Sequence, residues 1–294
     1  MSNAVLHPTV DCKRDLSGTA FGCPRNFLDN QFVYAVLSAR ARGLSVGVNM
    51  NPDKLCNFDC AYCEINRQLP GRRALDVDVM AAELETTLAL VHSAHLRQNP
   101  SFAALPDDLL KLKHVALSGD GEPTLCPLFL DAVQAVMHVR ATTRVPFFKI
   151  VLITNSSHLD APEVQQGLKL FTKHDEVWAK LEAGTQAYMD RINVTDVSIE
   201  AVTENILRLA RQRPVIIQSL FPLLDGTPPS AEEIETYAQR LRQLKDAGAN
   251  IPLVQIYSAT RPMARSLCGH LPLRVLSQIA QTVRRVSGLH AEVF

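Results

Sequence analysis

The sequence has no excess of charge of either sign, since 30 Lys and Arg balance 30 Asp and Glu among its 294 residues. A protein that coats nucleic acid nonspecifically would be strongly basic, so that class is excluded. The first residues lack the 7–15-residue apolar stretch of a signal peptide. The strongest apolar run, Ile150–Ile153, is far shorter than the roughly 20 residues of a membrane span. We therefore expect a cytoplasmic protein with no membrane contact.

Cysteine is present in an odd number, seven, and no export signal accompanies it. Disulfide frameworks belong to oxidising compartments and use cysteines in pairs. The count therefore argues against a disulfide framework and favours metal binding or catalysis.

No low-complexity linker divides the chain, and short apolar runs alternate with amphipathic segments. Runs rich in Val, Ile and Leu are typical of strands buried on both faces. Two helices are predicted over residues 198–210 and 230–247, the second with a capping box of Ser230 and Glu233 and a stop at Gly248. The alternation favours an α/β fold with a parallel sheet, curled into a barrel or left open. One domain over residues 44–294 is expected, preceded by an N-terminal arm over 1–43. The predicted strands are Leu44–Met50, His114–Ser118, Phe147–Thr154, Glu176–Glu182, Val215–Phe221 and Pro252–Ser258.

Polar residues stand at or near the carboxyl ends of five of these strands. Ligands bind at that edge of parallel α/β sheets, so a common pocket is predicted. The alternative for any single one is a strand end that meets solvent. These residues are Ser118, Asn155, Lys180, Glu182, Gln218 and Tyr257.

Three thiols follow the first predicted strand within eight residues, as Cys56, Cys60 and Cys63 in a CxxxCxxC pattern. Thiolates bind iron–sulfur clusters or zinc, and both normally take four ligands. No fourth Cys or His follows within 20 residues, and three ligands would leave one iron of a [4Fe–4S] cluster open to a small molecule. The alternatives are a zinc site completed by Cys12, Cys23 or a distant histidine, and three idle thiols.

The second predicted strand runs directly into the string SGDGEPTL, residues 118–125. Gly119 and Gly121 allow the backbone to approach a ligand closely, and Glu122 offers a carboxylate to an ammonium group. The string is not a dinucleotide fingerprint, because Thr124 replaces the third glycine of GxGxxG. Taken alone, it is equally typical of a plain turn.

Together, the two motifs resemble those of the radical S-adenosylmethionine (radical SAM) superfamily, in both order and position. The resemblance implies a partial (β/α)6 barrel of the TIM type. It implies a [4Fe–4S] cluster on Cys56, Cys60 and Cys63, with S-adenosylmethionine on the open iron. It also implies an enzyme that cleaves S-adenosylmethionine reductively to a 5′-deoxyadenosyl radical, which then abstracts hydrogen from a substrate.

The same resemblance assigns further cofactor contacts, residue by residue. Tyr62 would lie against the adenine, and the turn of Ser118, Gly119, Asp120, Gly121 and Glu122 would hold the methionine amino group. Residues 154–156 resemble a Thr-Asn-Gly string, with Ser156 in place of the glycine. The remaining contacts implied at or after the strand ends are Asn155, Lys180, Glu182, Gln218, Ile256, Tyr257 and Arg261. Arg261 would meet an anionic group of the cofactor or substrate, and Lys180 is also a weak catalytic candidate as a Schiff-base lysine.

A finer similarity, over about Leu44–Pro262, links the chain to wyosine-type tRNA synthases and their bacterial relatives. The wyosine enzymes carry a second cluster on three N-terminal cysteines, whereas only Cys12 and Cys23 precede Cys56 here. A second cluster involving these two, Cys126 or Cys268 is therefore not expected.

The resulting hypothesis is an enzyme acting on an unidentified small molecule or peptide, as an oxidoreductase, transferase or lyase. A one-electron reductant such as flavodoxin or ferredoxin would serve it. The alternatives are an enzyme that modifies a tRNA base and a noncatalytic metal-binding scaffold.

Overall fold

The main sheet of the computed structural model has eight strands, seven of them parallel, in the order β1-β2-β3-β4-β5-β6-β8-β10. The structure describes residues 27–71, 73–261 and 268–294. A separate antiparallel pair joins β7 to β9. The strands of the described chain are β1 Val33–Ser38, β2 Gly43–Asn49, β3 Leu112–Ser118, β4 Lys149–Thr154, β5 Glu176–Lys180, β6 Ile216–Leu220, β7 Pro222–Leu224, β8 Val254–Tyr257, β9 Cys268–His270 and β10 Ala291–Val293. All six predicted strands are confirmed, with ends moved by a few residues.

Four strands were not predicted from the sequence. The most consequential is β1, because it lies inside the predicted arm of residues 1–43 and pairs antiparallel with β2 through a tight turn. Arg42 in that turn has a φ of 54°. The other three have three residues each, too few for a periodic pattern to be read.

Helices cover the outer face of the sheet, between successive parallel strands. Only one of the two hydrogen bonds of the predicted capping box forms, at the start of α7 (Ala231–Asp246). Ser230 accepts from the Glu233 N–H (3.1 Å), whereas the Glu233 carboxylate accepts from Gly184 N–H and the Thr185 hydroxyl. A tertiary contact therefore replaces the local one.

No helix of the described residues is long and apolar enough to cross a membrane. The helices are α1 Val77–Val91, α2 Asp107–Leu110, α3 Phe129–Thr142, α4 Pro162–Lys169, α5 Gln186–Ile192, α6 Ile199–Ala210, α7 Ala231–Asp246 and α8 Leu273–Ser287.

Strand register determines which side chains face the inside of the curled sheet. Side chains alternate between the two faces of a strand, and residues paired across strands share a face. Ser45 pairs with His114 and Asn49 with Ser118. Ser45, His114 and Ser118 line the cavity inside the sheet, so this set of side chains faces inward. Val46 and Val115, which are also paired, face the helices. The inward set continues round the sheet as Val151, Ile153, Trp178, Lys180, Gln218, Leu220, Gln255 and Tyr257.

The turn between β1 and β2 bridges the open side of this partial barrel. Arg42 forms an ion pair with Glu292 on β10 (2.6 Å) and lies over the Phe294 ring. The Arg40 guanidinium carbon lies 4.2 Å from the centre of the Tyr257 ring at the end of β8. The first and last strands of the sheet are therefore joined by side chains rather than by backbone pairing.

A buried ion pair fixes α3 against the start of β5. Arg140 Nη1 lies 2.6 Å from Asp175 Oδ1, with both side chains almost fully buried. Asp175 also accepts from the backbone N–H groups of Ile150 and Thr172, both at 2.7 Å, and from the Thr172 hydroxyl. A buried pair this well hydrogen-bonded stabilises mainly because losing one partner leaves the other charge uncompensated.

We expect Asp175→Asn to lower the free energy of unfolding at pH 7 by about 3 kcal/mol. Burial raises the pKa of Asp175, but the hydrogen bonds from Arg140, Ile150 and Thr172 outweigh it and hold the pKa below its usual range. A depressed folded-state pKa gives stability that is present above the unfolded value of about 3.9 and is lost as pH falls through the folded value. The difference in free energy of unfolding between wild type and variant should therefore become smaller below pH about 4. Urea unfolding at pH values from 7 to 3 measures this difference.

The exposed pair of Asp108 and Lys111 (2.6 Å) supplies the matched control. Asp108→Asn should leave the urea midpoint unchanged at every pH, because exposed ion pairs contribute little. A gap for Asp175→Asn that stayed constant with pH would contradict the assignment to its charge.

Candidate functional site

The cysteine loop follows β2 and is held by the carboxyl end of α5. The Asp59 N–H donates to the Asn193 carbonyl (3.1 Å), and the Ala61 N–H donates to the Ile192 carbonyl (2.8 Å). These bonds fix the backbone of a segment that has no regular secondary structure. The loop's three cysteines, Cys56, Cys60 and Cys63, are free and half-buried.

Each of the three sulfurs has a nitrogen donor beside it. Phe58 N–H points to Cys56 Sγ (3.5 Å), Ile65 N–H to Cys63 Sγ (3.4 Å) and Asn193 Nδ2 to Cys60 Sγ (3.5 Å). Such donors favour thiolates. Burial raises the pKa of the Cys60 thiol to about 12, which favours the protonated thiol, and a bound metal would favour the thiolate.

The donor set consists of thiols, which bind either iron–sulfur clusters or zinc. Among the described residues, no three His, Cys, Asp or Glu side chains are arranged to hold one metal ion. Cys12 and Cys23, offered as completing ligands for zinc, lie outside the described residues, while Cys126 and Cys268 are buried elsewhere.

The glycine string after β3 packs directly against the cysteine loop. A Cβ on Gly121 would stand 2.0 Å from the Leu55 carbonyl oxygen, and one on Gly119, at a φ of 139°, 2.1 Å from Asn49 Oδ1. The Glu122 N–H donates to the Leu55 carbonyl (2.9 Å). Both glycines are therefore required by close approach, and the string is not a plain surface turn.

Glu122 ties the glycine string to the end of β4. Its Oε1 accepts from Thr124 N–H (3.1 Å) and from the hydroxyls of Thr124 (2.7 Å) and Thr154 (2.6 Å), and its Oε2 accepts from Asn155 N–H (2.7 Å). An ionised carboxylate offers about four acceptor positions. Oε1 is thus saturated, and Oε2 keeps one position. Glu122, whose carboxylate was predicted to meet an amino group, therefore connects the segment after β3 to the end of β4 by hydrogen bonds.

Ser156 shows why a glycine suits the corresponding place in the Thr-Asn-Gly string. Its φ is 70°, in the left-handed region that favours glycine. Its N–H donates to the Thr154 hydroxyl (3.0 Å), which stabilises the turn after β4.

A second buried network surrounds Tyr62 and Glu182. The Tyr62 hydroxyl and Asn193 Nδ2 (2.8 Å) both donate to Glu182 Oε2. Burial, with the nearby Cys60 and Glu182, holds the pKa of Tyr62 well above its usual range, so the phenol stays protonated. Glu182 Oε1 is buried and has no hydrogen-bond partner among the described residues. Asn193 was not predicted from the sequence, because it follows a helix rather than a strand.

Lys180 lies between this network and the cysteine loop, with Nζ 5.2 Å from the centre of the Tyr62 ring. Burial lowers its pKa, but Glu182, Tyr257 and the thiols of Cys60 and Cys63 together raise it above the usual value. These neighbours favour the ammonium form of Lys180. Its role as a Schiff-base lysine stays a prediction.

A cavity of about 430 Å³ fills the inside of the barrel below the cysteine loop. Of the residues predicted from the sequence, those that line it are Tyr62, Cys63, Ser118, Gly119, Lys180, Gln218, Tyr257 and Arg261. Asn155 and Glu182 line a smaller neighbouring cavity, which shares Lys180 with the first. Eight predicted side chains from separate parts of the sequence thus meet in one cavity.

Two of the three predicted cluster ligands, Cys56 and Cys60, line neither cavity. The same is true of four other predicted residues, Asp120, Gly121, Glu122 and Ser156, which support the loops that line the cavities. Ile256 also lines neither. Its side chain is fully buried, and its carbonyl accepts from the Phe294 N–H (3.0 Å), which gives it a strand-pairing role. Conversely, Arg40, Tyr34, Ser45 and His114 line the main cavity but were not predicted. The available signal was the presence of polar side chains at alternate positions of otherwise apolar strands.

Comparisons with known proteins give information about the fold. No protein-family model matches the sequence. A UPF0026 protein of Helicobacter pylori is 27% identical over 276 residues, covering 85% of this chain and 79% of that protein.

Two solved structures resemble the chain over most of its length. One is TYW1 with a lysine-pyruvate adduct bound, with a TM-score of 0.57 and 13% identity, covering 88% of this chain and 85% of the other. The second is a radical SAM methyltransferase from Sphaerobacter thermophilus, with a TM-score of 0.61 and 16% identity, covering 89% and 68%. These structural neighbours are radical SAM enzymes. The predicted fold is confirmed: the chain has the curled, TIM-like partial barrel of the radical SAM enzymes.

Proposed function

We propose that this protein is a radical SAM enzyme that holds a [4Fe–4S] cluster on Cys56, Cys60 and Cys63 and acts on a small molecule or peptide. One observation carries the proposal. The Gly121 contact with Leu55 locks the cysteine loop to the glycine string, and each of these two segments lines the cavity, through Cys63 and Gly119. A scaffold protein that binds no cofactor would have no need for this junction.

The three cysteines would leave one iron without a protein ligand, facing the cavity that Cys63 lines. Cluster and S-adenosylmethionine, when bound, supply a radical that removes hydrogen from an unactivated carbon. The chain's own task is then to bind, to orient and to exclude water.

Polar groups at the strand ends would orient S-adenosylmethionine. Ser118 and Gly119 present a hydroxyl and an open backbone on one side of the cavity, and Lys180 presents an ammonium on the other. Arg261 Nη1 lies 3.4 Å from Glu64 beside the cysteine loop, where it would meet a carboxylate of the cofactor. Tyr257, under Arg40, closes the cavity toward the open side of the barrel.

The cysteines are half-buried, so a one-electron reductant such as flavodoxin or ferredoxin could approach the cluster from the protein surface. The proposal requires such a partner, since the chemistry begins with an electron.

The test is anaerobic reconstitution with iron and sulfide, followed by metal analysis and low-temperature EPR of the reduced protein. We expect about four irons per chain and a signal that changes when S-adenosylmethionine is added. Zinc in place of iron, or a signal indifferent to S-adenosylmethionine, would overturn the proposal. About eight irons per chain would contradict a single cluster and would favour the wyosine-type alternative.

A further inference from the structure

The cavity carries a cation to which the proposed function assigns no binding role. Arg40 reaches into the cavity from the turn between β1 and β2, and its guanidinium lies against Tyr257. Within the described part of the chain, no carboxylate lies at ion-pair distance from Arg40, and its buried Nε has no hydrogen-bond partner. A buried polar group of this kind normally has a partner.

A second unpartnered group lines the same cavity. His114 is only 1% exposed, and its Nε2 lies 2.8 Å from the Ser45 hydroxyl. Its Nδ1 is buried without a hydrogen-bond partner. Burial, with Lys149 and Arg40 nearby, lowers the pKa of His114 to about 3. The ring is therefore neutral, and it adds no charge to the part of the cavity that Arg40 lines.

The charges around these two groups do not cancel. Lys149 is paired with Glu176, which also accepts from the Trp178 indole N–H. Arg40 has no such counterpart among the described residues. This part of the cavity thus has a positive charge that no described carboxylate pairs with, and a guanidinium is the side chain best shaped to bind a carboxylate through two parallel hydrogen bonds.

We propose that the cavity binds an anionic group of the substrate, a carboxylate, through the Arg40 guanidinium. This inference rests on the proposed function, and it defines the substrate class as small carboxylates.

The test measures binding of acetate, inorganic phosphate and uncharged acetamide to the reconstituted protein by calorimetry, at constant ionic strength. We expect acetate to bind and acetamide not to bind, with Kd for acetate rising at least tenfold in Arg40→Gln. Glutamine keeps a flat amide to stack on Tyr257. The matched control is Arg42→Gln in the same turn, whose arginine pairs with Glu292 and does not line the cavity. It should leave Kd unchanged.

If Arg40→Gln fails to fold, a measurement on the wild-type protein still tests the inference. With ring-¹⁵N histidine labelling, acetate should shift the ring signals of His114 in NMR, because His114 lines the same cavity as Arg40. Equal binding of acetate and acetamide, or an unchanged Kd in Arg40→Gln, would overturn the inference. Phosphate binding in place of acetate would overturn the carboxylate class.

Iron content and Kd for S-adenosylmethionine, measured on the same Arg40→Gln protein, separate this inference from the proposed function. A normal iron content and a normal Kd for S-adenosylmethionine, together with lost acetate binding, would support both the inference and the proposed function. A weakened Kd for S-adenosylmethionine with no change for acetate would assign Arg40 to the cofactor and overturn the inference alone. Absence of cluster in the wild type would overturn the proposed function, whatever the acetate result.

Discussion

Alanine at Cys56, Cys60 or Cys63 is expected to lower the iron content of the reconstituted protein from about four atoms per chain to below about one. Each thiolate would bind a different iron, and the loop offers no spare sulfur, so two remaining ligands would not retain the cluster. The thiolate-to-iron absorption near the blue end of the visible spectrum should disappear together with the iron. Metal analysis and absorption spectroscopy after anaerobic reconstitution measure both.

Cys126 and Cys268 provide controls of the same chemistry within the chain. Both are buried and free, and neither lies in the cysteine loop. Cys126→Ala and Cys268→Ala should keep about four irons per chain. Loss of iron in either control, or full retention in Cys60→Ala, would contradict the assignment of the three ligands.

Alanine at Gly121 is expected to lower the free energy of unfolding by about 3 kcal/mol and to reduce cluster loading at the same time. The new Cβ would meet the Leu55 carbonyl oxygen at 2.0 Å and Asn51 Cβ at 2.6 Å. Neither is a flexible side-chain end, so the backbone of the cysteine loop must move away. Urea unfolding gives the free energy, and iron per chain in the folded fraction gives the loading.

Gly269 on β9 is the matched glycine. A Cβ there would meet Leu223 at 3.4 Å, an ordinary van der Waals contact. Gly269→Ala should leave the free energy of unfolding equal or slightly higher, because alanine restricts the unfolded chain more than glycine does. If Gly121→Ala were as stable and as iron-rich as Gly269→Ala, the junction between the two motifs would have no importance for the site.

The sequence by itself determined the layers of the fold and the edge at which the site lies. The six buried strands are apolar runs that the hydrophobic effect places between helices, so they can be located without knowing their neighbours. The three cysteines and the glycine string are local patterns, each tied to the strand before it. That is why both motifs could be recognised from the sequence. Four of the six polar strand-end residues, Ser118, Lys180, Gln218 and Tyr257, line the main cavity.

Only the tertiary structure decided which of those residues share a cavity and which support it. The Glu122 bond to Thr154 joins residues 32 positions apart, and the Tyr62 bond to Glu182 joins residues 120 apart. Arg40 reaches Tyr257 only because the sheet curls until its first and last strands face each other. Strand register and sheet curvature depend on packing between distant segments, and a pattern in one segment of sequence carries no information about the other.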